Sequence, residues 1–350
     1  MNAITGLDLR LVRLSFREPV RVGLDWVTSR DVAIVVLEDE SGLVGLGETF
    51  EQPHSDAVAT ARSWALGRTP MELLVAGGPW TVGVLPHRLC GALDTALADL
   101  DARQSGVSLA RSLAGEEVRA DVPVNALLVV AARDVTAPAA ARRLVADGFG
   151  TIKLKLEGGA DGTPETWWAE AIAGIRDVVG PDVALRVDLN GCLSADAARA
   201  WLPTLLGLRL EHVEQPIAPD HGAEALASLR DTGVPVAADE SVVDLPSALD
   251  LIDAGCDTLV VKPARVGGPL RAAEVVEAAN DAGVTTVIST LYETGVGLAT
   301  ALHVAAIVPG ERAHGLATAG LVADDVSSGL PPVVRGRMAV PGPGLGVELP

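Results

Sequence analysis

The sequence predicts a parallel α/β barrel preceded by a smaller α+β region, on three observations. From about Asp121, short β-branched runs alternate with Ala-rich amphipathic stretches, strand then helix, which is the pattern of parallel β/α units. The predicted strand ends fall near residues 155, 188, 214, 239, 262 and 289, 23 to 33 residues apart. Six or more such units favour a closed barrel over an open doubly wound sheet. No G-x-G-x-x-G follows a strand, which counts against a dinucleotide-binding sheet.

Taken in order, Ile4–Leu14 alternates apolar Leu7, Leu9 and Leu11 with polar Asp8 and Arg10, as a half-buried strand does. Val32–Leu37 and Val44–Gly47 make the next two strands, joined by the turn residues Asp39-Glu40-Ser41-Gly42. Asp56–Leu66 and Leu89–Gln104 read as helices, the second with Leu89, Leu93, Leu97 and Leu100 on one face. The barrel strands are expected at 123–130, 151–156, 184–189, 212–214, 234–238, 258–261 and 285–289, with helices between them and a last helix at 297–307. The Pro- and Gly-rich tail from Pro331 keeps apolar residues at Val333, Val334, Met338, Val340, Leu345 and Val347, a spacing that predicts packing back on the first region.

Composition narrows the partners. The 350 residues carry a net charge of −19, a surface that repels nucleic-acid phosphates and anionic membrane faces. Residues 1–16 lack the basic start and apolar run of a signal peptide, and no apolar run reaches the length of a membrane span. Cys90, Cys192 and Cys256 are scattered, without a CxxC, which predicts a reducing compartment and a cytoplasmic protein. Of 27 basic residues only Lys153, Lys155 and Lys262 are lysine.

Those three lysines fall where a β/α barrel carries its chemistry, at the C-terminal ends of strands. The strand ends read Lys153-Leu154-Lys155, Asp188-Leu189-Asn190, Glu214-Gln215-Pro216, Asp239-Glu240-Ser241 and Lys262-Pro263. Side chains alternate along a strand, so Lys153 shares the inward face with Lys155, and Arg186 shares it with Asp188. Asp188, Glu214 and Asp239, on three successive strands, are expected to converge and to need a cation. An all-oxygen set selects a hard ion, Mg²⁺ before Ca²⁺ or Zn²⁺. The competing reading has each acid capping the following helix. Beside a divalent ion and a second ammonium, a lysine pKa should fall by about three units, roughly 4 kcal/mol, into the range of a general base. Arginine stays protonated and cannot serve. For Lys153 and Lys262 the alternative is a salt bridge to the barrel acids.

The K-x-K at 153–155, D-x-N at 188–190, E-Q-P at 214–216, D-E-S at 239–241, K-P at 262–263 and the hairpin end Gly45-Leu46-Gly47-Glu48 together resemble the enolase superfamily, in its muconate-lactonizing subgroup, over nearly the whole chain. The resemblance implies a (β/α)7β modified TIM barrel with an α+β capping domain built from the N-terminal region and the C-terminal tail. The implied division is cap 1–118, barrel 119–325 and a segment 326–350 returning to the cap. It also implies abstraction of a proton α to a carboxylate, giving a Mg²⁺-stabilised enediolate, with Mn²⁺ as a substitute ion.

Within the subgroup, residues 289–298 and His314-Gly315-Leu316-Ala317-Thr318 resemble o-succinylbenzoate synthases of the actinobacterial type. That resemblance implies a lyase: syn-dehydration of a succinylated cyclohexadiene carboxylate in menaquinone biosynthesis. Lys155 would be the base and then the acid, Lys262 would stabilise the enediolate, and Lys153, Arg186, Asn190, Glu240 and Ser289 would bind substrate or support the site. Arg186 would orient a substrate carboxylate or bridge to Glu214 or another barrel acid. The segment 20–29, with Trp26, would be a lid or a packed part of the cap. N-acylamino acid racemization uses nearly the same two-lysine site and is the alternative, as is dipeptide epimerization. Dipeptide epimerases of the subgroup carry an Asp-x-Asp for the substrate ammonium, and positions 314–318 hold none. A metallohydrolase barrel would want histidine ligands, and only His212 lies in a barrel strand; a non-catalytic binding protein would have lost lysines or acids, and none is lost.

Overall fold

In the computed structural model, which describes residues 1–22, 25–115, 118–159 and 161–350, two long strands open the chain. β1 (Ile4–Val22) and β2 (Asp25–Asp39) pair antiparallel, and β3 (Val44–Thr49) joins β2 across a turn. Asp39 holds that turn by accepting hydrogen bonds from the Ser41 and Leu43 amides. Of the expected lid, residues 23 and 24 lie outside the described residues, and Trp26 sits half-exposed on β2. Helices α1 (Ser55–Ala65), α2 (Pro70–Val75), α3 (His87–Gln104) and α4 (Leu109–Ala114) complete the cap. β3 lies directly against α3, which requires glycine: a Cβ on Gly47 would stand 1.9 Å from the Ala92 carbonyl oxygen.

The barrel follows. β4 (Asp121–Pro123) and β5 (Ala126–Val130) are two strands where the sequence reads one, because the chain changes partners between them. Val124 donates to the Gly336 carbonyl of the tail and Asn125 to the His314 carbonyl of the barrel. Then come β6 (Thr151–Leu156), β7 (Ala184–Asp188), β8 (Leu210–Glu214), β9 (Val236–Ala238), β10 (Thr258–Val261) and β11 (Thr285–Ile288). They pair in parallel with β5 in sequential order. Short parallel bridges from Val124 to His314 and from Ser289 to Gly315 supply the eighth position and close the ring. The structure is thus a (β/α)7β barrel with a cap.

Helices α5 (Ala137–Ala146), α6 (Trp168–Val179), α7 (Ala195–Trp201), α8 (Ala223–Ala227), α9 (Leu245–Asp253), α10 (Pro263–Val266), α11 (Pro269–Asp281) and α12 (Gly295–Ile307) surround it. The core between strands and helices is almost wholly Val, Leu, Ile and Ala, as doubly covered parallel strands demand. Helix α12 is apolar on every side because it faces two cores: Leu298 and Leu302 pack into the barrel, Val296 and Ala299 into the cap. The tail also serves both. β12 (Val333–Val334) and β13 (Arg337–Ala339) extend a small sheet from β4, whereas Leu345 and Val347 are buried in the cap. Among the described residues no helix is long and apolar enough to cross a membrane.

Candidate active site

Strand register decides which side chains meet. Lys155 on β6 is opposite Asp188 on β7, and Asp188 is opposite Glu214 on β8, so these three form one interior layer. One pleat deeper, Lys153, Arg186 and His212 form the next layer. β10, which delivers Lys262, lies four positions around the eight-position ring from β6, so the two lysine-bearing walls face each other.

Between the strand ends and the cap lies a cavity of about 190 Å³, small beside the roughly 300–1,000 Å³ of drug-sized ligand sites and suited to a small organic acid. Lys153, Lys155, Asp188, Asn190, Glu240, Lys262 and Ser289 line it. Glu214 and Asp239 are buried behind this lining, at 2% and 0% exposure, and reach it through lysines. Lys153 Nζ bridges Asp188 Oδ2 at 2.9 Å and Glu214 Oε1 at 2.6 Å. Lys262 Nζ meets Asp239 Oδ2 at 2.6 Å, and Arg265 Nη1 meets Asp239 Oδ1 at 2.8 Å.

The three carboxylates that the sequence pattern brings together are thus each paired with one of these cations. Among the described residues no three His, Cys, Asp or Glu side chains form a ready metal-holding group. Pairing suits their burial, because an unpaired buried carboxylate is far costlier than an ion pair. The charge balance is uneven. Burial opposes the charge on Asp188 and on Asp239, but Lys153 for the first and Lys262 with Arg265 for the second outweigh it, leaving both carboxyls below the usual range. Glu214 is left short of positive charge: burial, Asp188 and Asp239 push it up to about 8 despite Lys153. Burial likewise disfavours the Lys153 ammonium, yet Asp188 and Glu214 hold it well above its ordinary pKa. On Lys155 burial prevails and lowers the pKa.

The loops after β7, β8 and β9 are tied together. Gln215, at φ 40°, accepts from the Asp239 and Ser241 amides and donates to the Ser241 hydroxyl, fixing the end of β9 to that of β8. Asn190 donates to Glu240 Oε1 at 3.1 Å. Asn190 Oδ1 and Glu240 Oε2 are buried without a protein partner, two oxygens available to a ligand. Two orphaned oxygens, a charge-deficient Glu214 and an all-oxygen donor set fit a hard divalent ion.

Arg186 does not line the cavity. It donates to Glu211 Oε2 at 2.5 Å and to Asn125 Oδ1 at 3.1 Å, so its bridge runs to Glu211 and not to Glu214. His212 is fully buried with neither ring nitrogen bonded, and burial with Arg186 and Lys153 nearby keeps it neutral. Sequence reasoning missed Arg265, Asn125 and Arg21, which all line the cavity. Arg265, three residues after Lys262, carried a signal in its spacing; Arg21 lies in the segment expected to be a lid, where nothing singled it out. Glu48 of the hairpin end lies outside the cavity, where it accepts from the Thr294 and Gly297 amides at the start of α12.

Residues 136–350 match the family described as enolase C-terminal domain-like. The chain is 32% identical over 323 residues to a chloromuconate cycloisomerase of Cupriavidus necator, covering 87% of this chain and 85% of that protein. An N-succinylamino acid racemase of Thermus thermophilus is 28% identical over 364 residues, covering 99% and 95%. An o-succinylbenzoate synthase of Thermobifida fusca is 37% identical over 213 residues, 60% of this chain and 63% of that protein. Among solved structures, a dipeptide epimerase from Methylococcus capsulatus complexed with Mg and the dipeptide L-Arg-D-Lys superposes with a TM-score of 0.84 at 25% identity, covering 99% of each chain.

Proposed function

The chain belongs to the enolase C-terminal domain-like family, and from that premise we propose that it racemizes an N-succinylated, or similarly N-acylated, amino acid by a two-lysine proton transfer. The active site is Mg²⁺-dependent, and Asp188, Glu214 and Asp239 would hold the ion. When bound it supplies positive charge beside the substrate carboxylate, which lowers the energy needed to remove the adjacent proton. The observation that carries the reading is the facing pair of lysines. Lys155, whose pKa burial lowers, takes the α-proton on one face; Lys262, ion-paired with Asp239, returns a proton on the other. Lys153 neutralises Asp188 and Glu214, the free oxygens of Asn190 and Glu240 would support the ion, and Ser289 would contact the substrate.

The acyl group follows from charge. Positions 314–318 carry no acid to meet a free ammonium, and the cavity lining also includes the uncharged Leu127, Leu291 and Thr318. The full-length likeness to an N-succinylamino acid racemase supports this reading. The test is to incubate the protein with Mg²⁺ and N-succinyl-L-phenylalanine in D₂O. We expect loss of optical rotation with loss of the α-proton signal; retention of both overturns the reading.

A second reading is dehydration of a succinylated cyclohexadiene carboxylate to o-succinylbenzoate, supported by the 37% identity to such a synthase. Lys155 would then act twice on one face, as base and as acid to the departing hydroxide. Appearance of aromatic absorbance from that precursor, with no racemization, selects it.

A further inference from the structure

The three lysines are held differently. Lys153 and Lys262 are each set by carboxylates of the barrel, at 2.6–2.9 Å. Among the described residues Lys155 makes no ion pair within 4.0 Å; its ammonium donates instead to the backbone carbonyl of Arg21, at 3.0 Å. Arg21 belongs to the cap, at the end of β1, 134 residues away. Its guanidinium donates in turn to the carbonyl of Leu156, at 3.0 Å, the residue that follows Lys155 on β6. One cap residue thus grips both the tip of Lys155 and the strand from which Lys155 springs. Arg21 is itself 8% exposed and lines the cavity.

We propose that Arg21 is a positioning residue for Lys155, the cap's contribution to the proton transfer; this rests on the two-lysine reading above. A neutral lysine amine has two N–H bonds and one lone pair in a tetrahedral arrangement. If Arg21 O takes one N–H, the lone pair is confined to a few directions, one of them into the cavity. The guanidinium bond to Leu156 keeps that carbonyl at a fixed height above β6, so the amine of a long, flexible side chain meets the substrate in one geometry. Lys262 has no such dependence, because its acceptor stands on the neighbouring barrel strand.

The test compares the two faces. Each enantiomer of N-succinylphenylalanine presents its α-proton to one lysine, so its exchange with D₂O reports on that lysine; Lys155→Arg identifies the enantiomer that Lys155 serves. In the full-length protein with Mg²⁺, Arg21→Met should slow exchange of that enantiomer at least about tenfold, within the ~10²-fold that a 1 Å misplacement causes. The other enantiomer should stay within about threefold, and Arg21→Lys should recover part of the loss. Equal slowing of both enantiomers, or of neither, overturns the proposal. A substrate-free readout separates this from failure of the functional reading. With only three lysines in the chain, ¹³Cε-lysine NMR gives one resonance for each, assigned by Lys155→Arg and Lys262→Arg. Arg21→Met should move the Lys155 resonance and leave that of Lys262 in place. An unmoved Lys155 resonance overturns the proposal whether or not the wild type exchanges the probe; absence of wild-type exchange with a moved resonance counts against the racemase reading alone.

Discussion

Buried carboxylates gather in two regions of this molecule and behave differently in each. At the barrel mouth, Asp188, Glu214 and Asp239 lie against Lys153, Lys262 and Arg265. At the seam between cap and barrel, Glu48 and Asp94 lie against helix starts. Glu48 accepts from the Thr294 and Gly297 amides of α12 and from the Thr294 hydroxyl, and Asp94 from the Leu270 amide of α11. Burial pushes both seam carboxyls up to about 7, with Glu293 adding to the effect on Glu48. All five carboxyls are buried, so burial alone does not mark a reactive site. What distinguishes the mouth is an ammonium facing open space; at the seam the partners are backbone amides and the Thr294 hydroxyl, which hold the cap against the barrel.

Four experiments bear on that contrast. Removing Mg²⁺ with EDTA should abolish racemization, and added Mg²⁺ should restore it; full activity in EDTA would mean the mouth carboxylates are only structural. Lys155→Ala should lower turnover by ~10²–10⁴-fold while leaving the melting temperature near that of the wild type. Normal turnover would remove Lys155 from its role. At the seam, Glu48→Ala strands the buried amide donors of α12 and should destabilise the protein by about 1–3 kcal/mol in urea titration. A neutral result would mean water replaces the carboxylate at no loss.

The smallest effect concerns pH. Both seam carboxyls have native pKa values raised above their ordinary 4.5 and 3.8. Their contribution to stability is therefore fully present below about pH 4 and is lost as pH rises through about 7. The double variant Glu48→Gln/Asp94→Asn should show a smaller fall in melting temperature between pH 5 and pH 8 than the wild type. An identical fall in both proteins would show that these two groups do not take up protons on folding.

Much of the mouth was legible in the sequence, and for a local reason. β6 to β11 are short apolar strands whose polar residues collect at their C-terminal ends, and a period of two puts alternate residues inward whatever the partners are. Lys153, Lys155, Asp188, Asn190, Glu240, Lys262 and Ser289, all at or just past strand ends, line the cavity. Arg186 obeys the same alternation and pairs with Lys153, which reaches the cavity, yet its own guanidinium turns to Glu211 and Asn125. Alternation specifies a face without specifying depth, and the irregular register between β7 and β8 brings Arg186 to Glu211 rather than Glu214.

By itself, then, the sequence determined the repeat of strand and helix, the inward faces and the acids and lysines that occupy them, since each depends only on residues a few positions apart. Tertiary structure alone decided which charge meets which. Closing the ring brings Lys153 to Glu214 across 61 residues, docking the cap brings the Arg21 carbonyl to Lys155 across 134, and the tail divides itself between β4 and the cap. Such pairings are settled by competition among all buried groups for the few counter-charges within reach, and distance in space, not order along the chain, decides that competition.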